Sequence, residues 1–441
     1  MSLLNQRTFN VERTITNQLI EWKNNKYRKP LLLQGARQTG KTYTLFDFGR
    51  RFYENIAHIN FDTSTIANKL FDEDIMPDIL IPKLGILTGE KIVKEKTLII
   101  FDEVQLCQRA LSSLKYFCEF APEYHVVASG SLLGISVNRE KYSFPVGKVD
   151  RLNMFPMNFR EFLLAFEERE LVEKIKICFS ENKPLDAVHH KLANEYYRQY
   201  LVVGGMPEVV SKYTDTKDFK LIRLTQNNII ADYLDDMSKY NTPIETRKTR
   251  SIYNNLTVQL FKANTRFQYK LIKSGGRSSE FEGALEWLEF AGLIDRCYLT
   301  EKIMLPLNNY KNPDAFKVYM SDIGLLCAQK TLNPEDIIYN APSLNDFKGG
   351  MIENYVGQQL RANGYEKYCW ISGAIAEVDF IIQNENGIIP IEVKSSDNTQ
   401  AKSLNRYIQL YKPSYAIKIA DKNFGYENNK KTIPLYAASF L

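Results

Sequence analysis

The stretch "PLLLQGARQTGKT", Pro30 to Thr42, decides how the front of this chain folds. Pro30 to Gln34 is a short apolar run of the kind a buried strand needs, and it leads into Gly35 to Thr42, which fits G-x-x-x-x-G-K-[ST]. A helix is expected from about Tyr43 to Tyr53. Such a loop wraps phosphate oxygens in backbone N–H groups: Gly35 and Gly40 permit close approach and unusual dihedrals, Gln38 and Thr39 lie between them, and the next helix offers its positive end. Lys41 then reaches the outer phosphates, and Thr42 supplies a hydroxyl to magnesium. A plain glycine turn between a strand and a helix fits the same pattern, so context has to separate the two.

Thr97 to Glu103, "TLIIFDE", is a second buried strand, and it ends in two carboxylates. Asp102 suits the magnesium shell and Glu103 the polarising of water. The two motifs together point to ATP. Val126 to Ser131 is a further strand ending in polar residues, where Ser129 or Ser131 can sense the terminal phosphate or simply cap a turn. Ala57 to Asp62 is another strand. Strands thus alternate with helical stretches to about residue 150, which implies a parallel sheet covered on both faces with its ligand at the strand C-terminal ends.

The chain is 441 residues long, enough for roughly two to four domains. Its 44% hydrophobic and 25% charged content is that of ordinary globular protein, and no apolar run approaches the ~18 residues that span a bilayer. No membrane partner is expected. The first residues lack the order of a secretory signal, and six scattered cysteines with four histidines suggest neither a disulfide frame nor a zinc site. A reducing cytoplasm fits. The net charge of +5 is too small on this length to imply nucleic acid by itself.

From Phe155 the pattern changes to amphipathic helices such as Asn158 to Phe166, a helical lid or connector, and Leu201 to Pro207 reads as a tight packing turn with two glycines. Helices are expected at Ser251 to Phe261, Gln268 to Ser274 and Ser278 to Ala291, then a strand at Leu293 to Leu299. That order suits a winged helix. Arg247 to Arg277 carries eight basic and no acidic residues, so DNA held through non-specific phosphate contacts is the partner it suits. The third helix argues back with Glu280, Glu282, Glu286 and Glu289, because so acidic a helix is repelled by the groove it should enter. A winged helix used for packing or protein contact fits as well.

Near the end, "AEVDFIIQNENGIIPIEVKSS", Ala376 to Ser396, is two alternating runs around a turn. Val378, Phe380 and Ile382 oppose Asp379; Ile389, Ile391 and Val393 oppose Glu392 and Lys394. A turn at Asn386-Gly387 sets Asp379 opposite Lys394, and one at Glu385-Asn386 sets it opposite Glu392. Either register gathers the three on one face. Two carboxylates there suit magnesium, or manganese in its place, and the lysine suits the attack of water on a phosphodiester. Glu353 on an upstream helix can join them. The plain alternative is an exposed hairpin with a surface ion pair.

The set "GARQTGKT", "TLIIFDE", "ASGSLLG", "VGGMPEVV", "MIENYV", "EVDFII" and "IPIEVKSS" resembles prokaryotic AAA-type ATPases that end in the domain of unknown function 4143, whose tail is similar to PD-(D/E)XK nucleases. The resemblance implies an α/β chain with a P-loop AAA-type parallel core at 1–154, a helical lid or connector at 155–240, a winged-helix-like part at 241–335 and a restriction-endonuclease-like domain at 336–441. It implies Lys41, Thr42 and Asp102 for ATP and magnesium, and Glu353, Asp379, Glu392 and Lys394 for the nuclease-like site. Arg37, Arg109, Arg139 and Arg151 lie in or just after the core, and nothing in the sequence selects an arginine finger among them. The expected activity is ATP hydrolysis coupled to a metal-dependent nuclease-like domain acting on DNA. Its rival is a nucleotide-operated switch or scaffold in which the terminal fold binds a protein or nucleic acid without cutting; a homo-oligomer or a protein partner fits either reading.

Overall fold

The computed structural model describes residues 12–131, 145–262, 266–373, 376–394 and 402–441. They form two compact units, Glu12–Phe155 with Phe290–Gly292, and Pro156–Glu289 with Leu293–Leu441.

The front unit is a mixed α/β layer built on five strands: β1 (Leu31–Gly35), β2 (Asn55–Asn60), β3 (Thr97–Asp102), β4 (His125–Ser131) and β5 (Asp150–Met154). All its pairings are parallel, in the order β2-β3-β4-β1-β5. The apolar runs are continuous because both faces are covered. Leu31 and Leu33 pack with Leu45 and Phe48 of the helix Lys41–Phe52, while Leu32 between them packs on the other face with Phe71, Leu80 and Phe117. β4 lies between β1 and β3, so the phosphate loop and the carboxylates after β3 flank the end of β4.

The second unit begins with helices. Asn158 starts the helix Phe159–Ala165 with a reciprocal capping box to Glu161, which anchors the amphipathic stretch expected there. The glycine pair at 204–205 is a packing turn, as expected. A Cβ on Gly205 would lie 2.0 Å from the Met157 carbonyl oxygen, and one on Gly204 2.3 Å from Asp322 Oδ1. Asp322 closes the turn: its Oδ2 accepts from Gly205 N at 2.6 Å, and its Oδ1 accepts from Leu325 N at 2.9 Å in the first turn of Ile323–Gln329.

The eight-stranded sheet of this unit has the order β12-β13-β11-β10-β9-β8-β6-β7. Its members are β6 (Ile294–Thr300), β7 (Lys311–Met320), β8 (Tyr368–Ser372), β9 (Ala376–Asn384), β10 (Gly387–Val393), β11 (Ala416–Ala420), β12 (Gly425–Glu427) and β13 (Lys430–Pro434). The strand expected at Leu293 to Leu299 in the winged-helix-like part is β6, which pairs antiparallel with β7 and joins this sheet through its parallel pairing with β8. The helices of that part are Pro243–Leu260 and Ser278–Phe290, but the segment expected as a helix from Gln268 is only a short 3-10 turn, Tyr269–Leu271. The β9-β10 register pairs Phe380 with Ile391 and Asn384 with Gly387, so Glu385-Asn386 is the turn and Asp379 falls level with Glu392. β9 also bulges: between the pairs Tyr368–Ile381 and Trp370–Val378, Asp379 and Phe380 together face Cys369.

Burial raises the Asp322 carboxyl from 3.8 to about 6, against the pull of the N–H donors of Gly205, Leu325 and Gly324. The folded state therefore holds a proton that the unfolded state lacks only between those values, and stability falls as pH rises through that window. The expected size is on the order of 2–3 kcal/mol. Urea unfolding of the parent and of Asp322→Asn across the window checks this; the same slope in both proteins would refute it.

Candidate nucleotide site and C-terminal acidic cluster

At the front site the loop is held from outside as well as by its own glycines. Gly35 is required by packing: a Cβ there would lie 2.3 Å from the Met154 carbonyl oxygen of β5. Gln38 at φ 63° and Gly40 at φ 90° turn the chain through the left-handed region into the helix Lys41–Phe52. Gly40 has no side chain to fold back on the first N–H groups of that helix, which leaves its positive end for an anion. Thr39 Oγ1 donates to the Ala36 carbonyl at 2.9 Å, and Arg13 donates to the carbonyls of Thr39 at 3.0 Å and Phe155 at 2.7 Å. No sequence motif marked Arg13.

Lys41 is only 8% exposed and donates to the carbonyls of Gly35 at 3.1 Å and Ala36 at 2.8 Å. Burial lowers its ammonium to about 8, while the charges of Glu103 and Asp102 pull the other way. An anion beside it would raise it again.

Asp102 is the hub. Thr42 Oγ1 donates to its Oδ2 at 3.0 Å, Ser129 Oγ donates to its Oδ1 at 2.5 Å, and His58 Nε2 lies 3.5 Å from Oδ2. Burial pushes this carboxyl up, but the bonds from His58, Ser129 and Thr42 together outweigh it and leave it below the usual range. Glu103 follows at φ 53°, with the Gln105 amide donating to its Oε2. Ser129 is therefore a partner of Asp102, while the Ser131 side chain lies outside the described residues. His58 was missed although its strand was recognised, since nothing in "AHINFD" shows that β2 runs beside β3. Arg109 donates to the Phe71 carbonyl at 2.6 Å, and Arg139 lies outside the described residues.

The second unit brings Glu353, Asp379, Glu392 and Lys394 into one neighbourhood and adds three residues that the sequence did not flag. Lys317 of β7, its side chain 1% exposed, has Nζ 2.7 Å from Glu353 Oε1, 2.6 Å from Glu377 Oε1 and 4.0 Å from Asp379 Oδ1. Tyr319 donates to the same Glu353 oxygen at 2.6 Å. Lys394 Nζ lies 2.5 Å from Glu392 Oε1, and Val393 N donates to Asp379 Oδ2 at 2.8 Å. Burial raises Asp379 well above the carboxylate range, and the Glu353 charge adds to it. Burial also raises Glu392, against the pull of Lys394. Burial works against the charge of Lys317, but Glu353, Asp379 and Glu377 more than compensate and raise it well above the lysine range. One signal was readable: a lysine inside the apolar run "AFKVYM" is costly unless paired. Among the described residues no three His, Cys, Asp or Glu side chains are grouped so as to hold a metal ion.

The sequence matches the family models "AAA domain" over residues 27–163, "Domain of unknown function (DUF8612)" over 194–336 and "Domain of unknown function (DUF4143)" over 348–438. The middle match crosses the boundary expected at 240. No curated protein matches. The chain is similar in structure to the Walker-type ATPase paby2304 of Pyrococcus abyssi, at 15% identity over 74% of this chain and 97% of that one, with a TM-score of 0.44. It is similar to the ORC1 protein of Aeropyrum pernix, solved in complex with DNA, at 11% identity over 72% and 90%, with a TM-score of 0.26. A third likeness is to AMPPCP-bound DnaA from Aquifex aeolicus, at 12% identity over 62% and 86%, with a TM-score of 0.28. The family matches place an AAA domain at residues 27–163 and a DUF4143 domain at residues 348–438.

Proposed function

We propose that the front unit binds Mg–ATP and hydrolyses it, and that the C-terminal sheet acts as a binding module more than as a nuclease. The observation that carries the first half is the convergence of Thr42, Ser129 and His58 on the Asp102 carboxylate beside the phosphate loop. Thr42 and Asp102 are hard oxygen donors 3.0 Å apart, a set that fits magnesium, whose chemistry when bound is to offset charge on the transferring phosphoryl group. The loop N–H groups and Lys41 hold and orient the phosphates. Glu103 polarises the attacking water, and the Gln105 amide fixes its carboxylate. Ser129, already bound to Asp102, senses the terminal phosphate through it.

Lys41→Ala is expected to lose nucleotide binding, because it removes the one buried cation of the loop. Glu103→Gln should bind ATP within a few-fold of the parent and lose on the order of 10²-fold or more in turnover, the usual scale of a lost general base. Nucleotide fluorescence and phosphate release separate the two effects. Parent-like turnover in Glu103→Gln would move Glu103 out of this role.

Support for the binding reading comes from Lys317, which stands among the carboxylates that a cutting site would use for a metal. The nuclease reading has its own support in the gathering of Glu353, Asp379, Glu392 and Lys394. A divalent ion does not fit beside the Lys317 ammonium, so no step of hydrolysis follows from this arrangement. Incubation of linear, nicked and branched DNA with manganese, with and without ATP, is expected to leave it intact. Cutting by the parent that disappears in Asp379→Ala would instead establish a nuclease.

DNA remains the partner that the basic run suits. The third helix is less repulsive than its sequence suggests, because Glu282 and Glu289 turn onto Arg296 at 2.5 and 2.8 Å and Glu280 pairs with Lys273 at 2.7 Å. Lys262, Lys270 and Arg277 are exposed. Neutralising these three should weaken DNA binding alike for unrelated sequences and flatten the log–log salt slope by roughly 3. A sequence preference that salt does not move would contradict phosphate-only contact.

A further inference from the structure

We infer that Lys317 is a built-in counter-ion that closes the C-terminal acidic cluster to divalent metal, and that once its charge is removed the carboxylates, which are not grouped to hold an ion while it is there, close around one. The inference rests on the C-terminal carboxylates alone, so it can fail while the ATPase reading stands.

The placement of Lys317 is specific. In the sheet order, β6 and β8 lie between its strand and β9. Cys297 of β6 pairs directly with Lys317, and Cys369 of β8 pairs with Leu299, two residues along β6 from Cys297 and so on the same face. Two small side chains therefore lie along the path from Lys317 to Glu377 and Asp379. The bulge at Asp379 and Phe380 sits opposite Cys369, where an extra residue re-aims the side chain of β9. The ammonium ends bonded to Glu353 and Glu377 and 4.0 Å from Asp379.

A divalent ion and this ammonium compete for the same oxygens. Glu353 Oε1 already accepts from both Lys317 and Tyr319, and Asp379 Oδ2 is spent on Val393 N. Expelling the ammonium to admit a metal would strand a 99% buried cation, because its side chain is only 1% exposed. The cluster still has capacity for another cation once Lys317 is neutral. Glu392 is 3% exposed, and its Oε2 is buried without a hydrogen-bond partner. Four carboxylates, Glu353, Glu377, Asp379 and Glu392, then remain with Lys394, and with Lys418 beside Glu392 on the neighbouring strand.

The test is manganese binding to the full chain, without nucleotide, by calorimetry and by the loss of the free Mn2+ electron-spin signal. The parent is expected to show no site that depends on Asp379. Lys317→Gln shortens the side chain by one atom and loses the charge; it should gain one site at least tenfold tighter than anything in the parent, and Lys317→Gln with Asp379→Asn should lose it. Lys317→Arg keeps the charge and should stay closed. If Lys317→Gln is unfolded in chelator, manganese should restore its circular dichroism, while the parent's melting temperature should not move with the metal. A parent site lost in Asp379→Asn overturns the inference. So does a Lys317→Gln protein that neither gains a site when folded nor refolds with manganese.

Discussion

A carboxylate taken out of water must be met by donors or cations, and this chain meets that requirement in three different ways. Asp102 is met by neutral donors and a histidine ring, Asp322 by backbone N–H groups, and Asp379 by one N–H and a nearby ammonium. The outcomes differ because the donors differ. Side-chain bonds to Asp102 outweigh its burial and keep it ionised. The N–H groups around Asp322 do not, so burial leaves it near 6. Burial raises Asp379 well above the carboxylate range, and the charge of Glu353 beside it adds to that.

The position of each carboxylate is set by strand order more than by local sequence. Asp102 meets Ser129 because β4 lies between β1 and β3, and it meets His58 because β2 is the next strand on the other side. Glu353 meets Lys317 because the helix Asn345–Ala362 is tied to the end of β7: Asn354 accepts from Met320 N at 2.8 Å and donates to the Met320 carbonyl at 3.1 Å. One residue before Asn354, the Glu353 side chain is then carried to β7. The long side chain of Lys317 covers the remaining distance.

How much of this was legible follows from the same distinction. The buried strands "LLLQG" and "TLIIFD" and the phosphate loop could be read because each signal is local: an apolar run, a glycine at positive φ, a lysine at fixed spacing. The turn at 204–205 was legible for the same reason. The hairpin's alternation was readable but its register was not, since both Glu385-Asn386 and Asn386-Gly387 make acceptable turns; Gly387, at φ 102°, is in fact the first residue of β10. His58, Arg13 and Glu377 were not legible as site residues, and Lys317 was legible only as a lysine in an apolar run that needs a partner, not as to which. Each acts across strands or segments far apart in sequence, and no spacing rule connects them. In the third helix of the middle region the pairing of two glutamates was not legible for a related reason: Arg296, which holds Glu282 and Glu289, lies on β6.

The two clusters also differ in what a cation would do there. At the front, Lys41 is a cation partly deprived of water and bonded only to carbonyl dipoles, with burial lowering it to about 8, so a polyanion improves its situation. At the back, Lys317 is a cation surrounded by carboxylates that raise it well above its usual value, so an anion gains little and a second cation loses. Two full charges 4 Å apart interact by about 4 kcal/mol at an effective dielectric of 20, enough to decide which ligand each pocket accepts. At the front Glu103 and Asp102 act on Lys41 through their charge while its bonds go to carbonyls, and at the back Glu353 and Glu377 bond the Lys317 ammonium directly. Similar residue types, lysine with aspartate and glutamate, thus stand in two different arrangements, and the difference lies in whether the ammonium bonds carbonyls, as Lys41 does, or carboxylates, as Lys317 does.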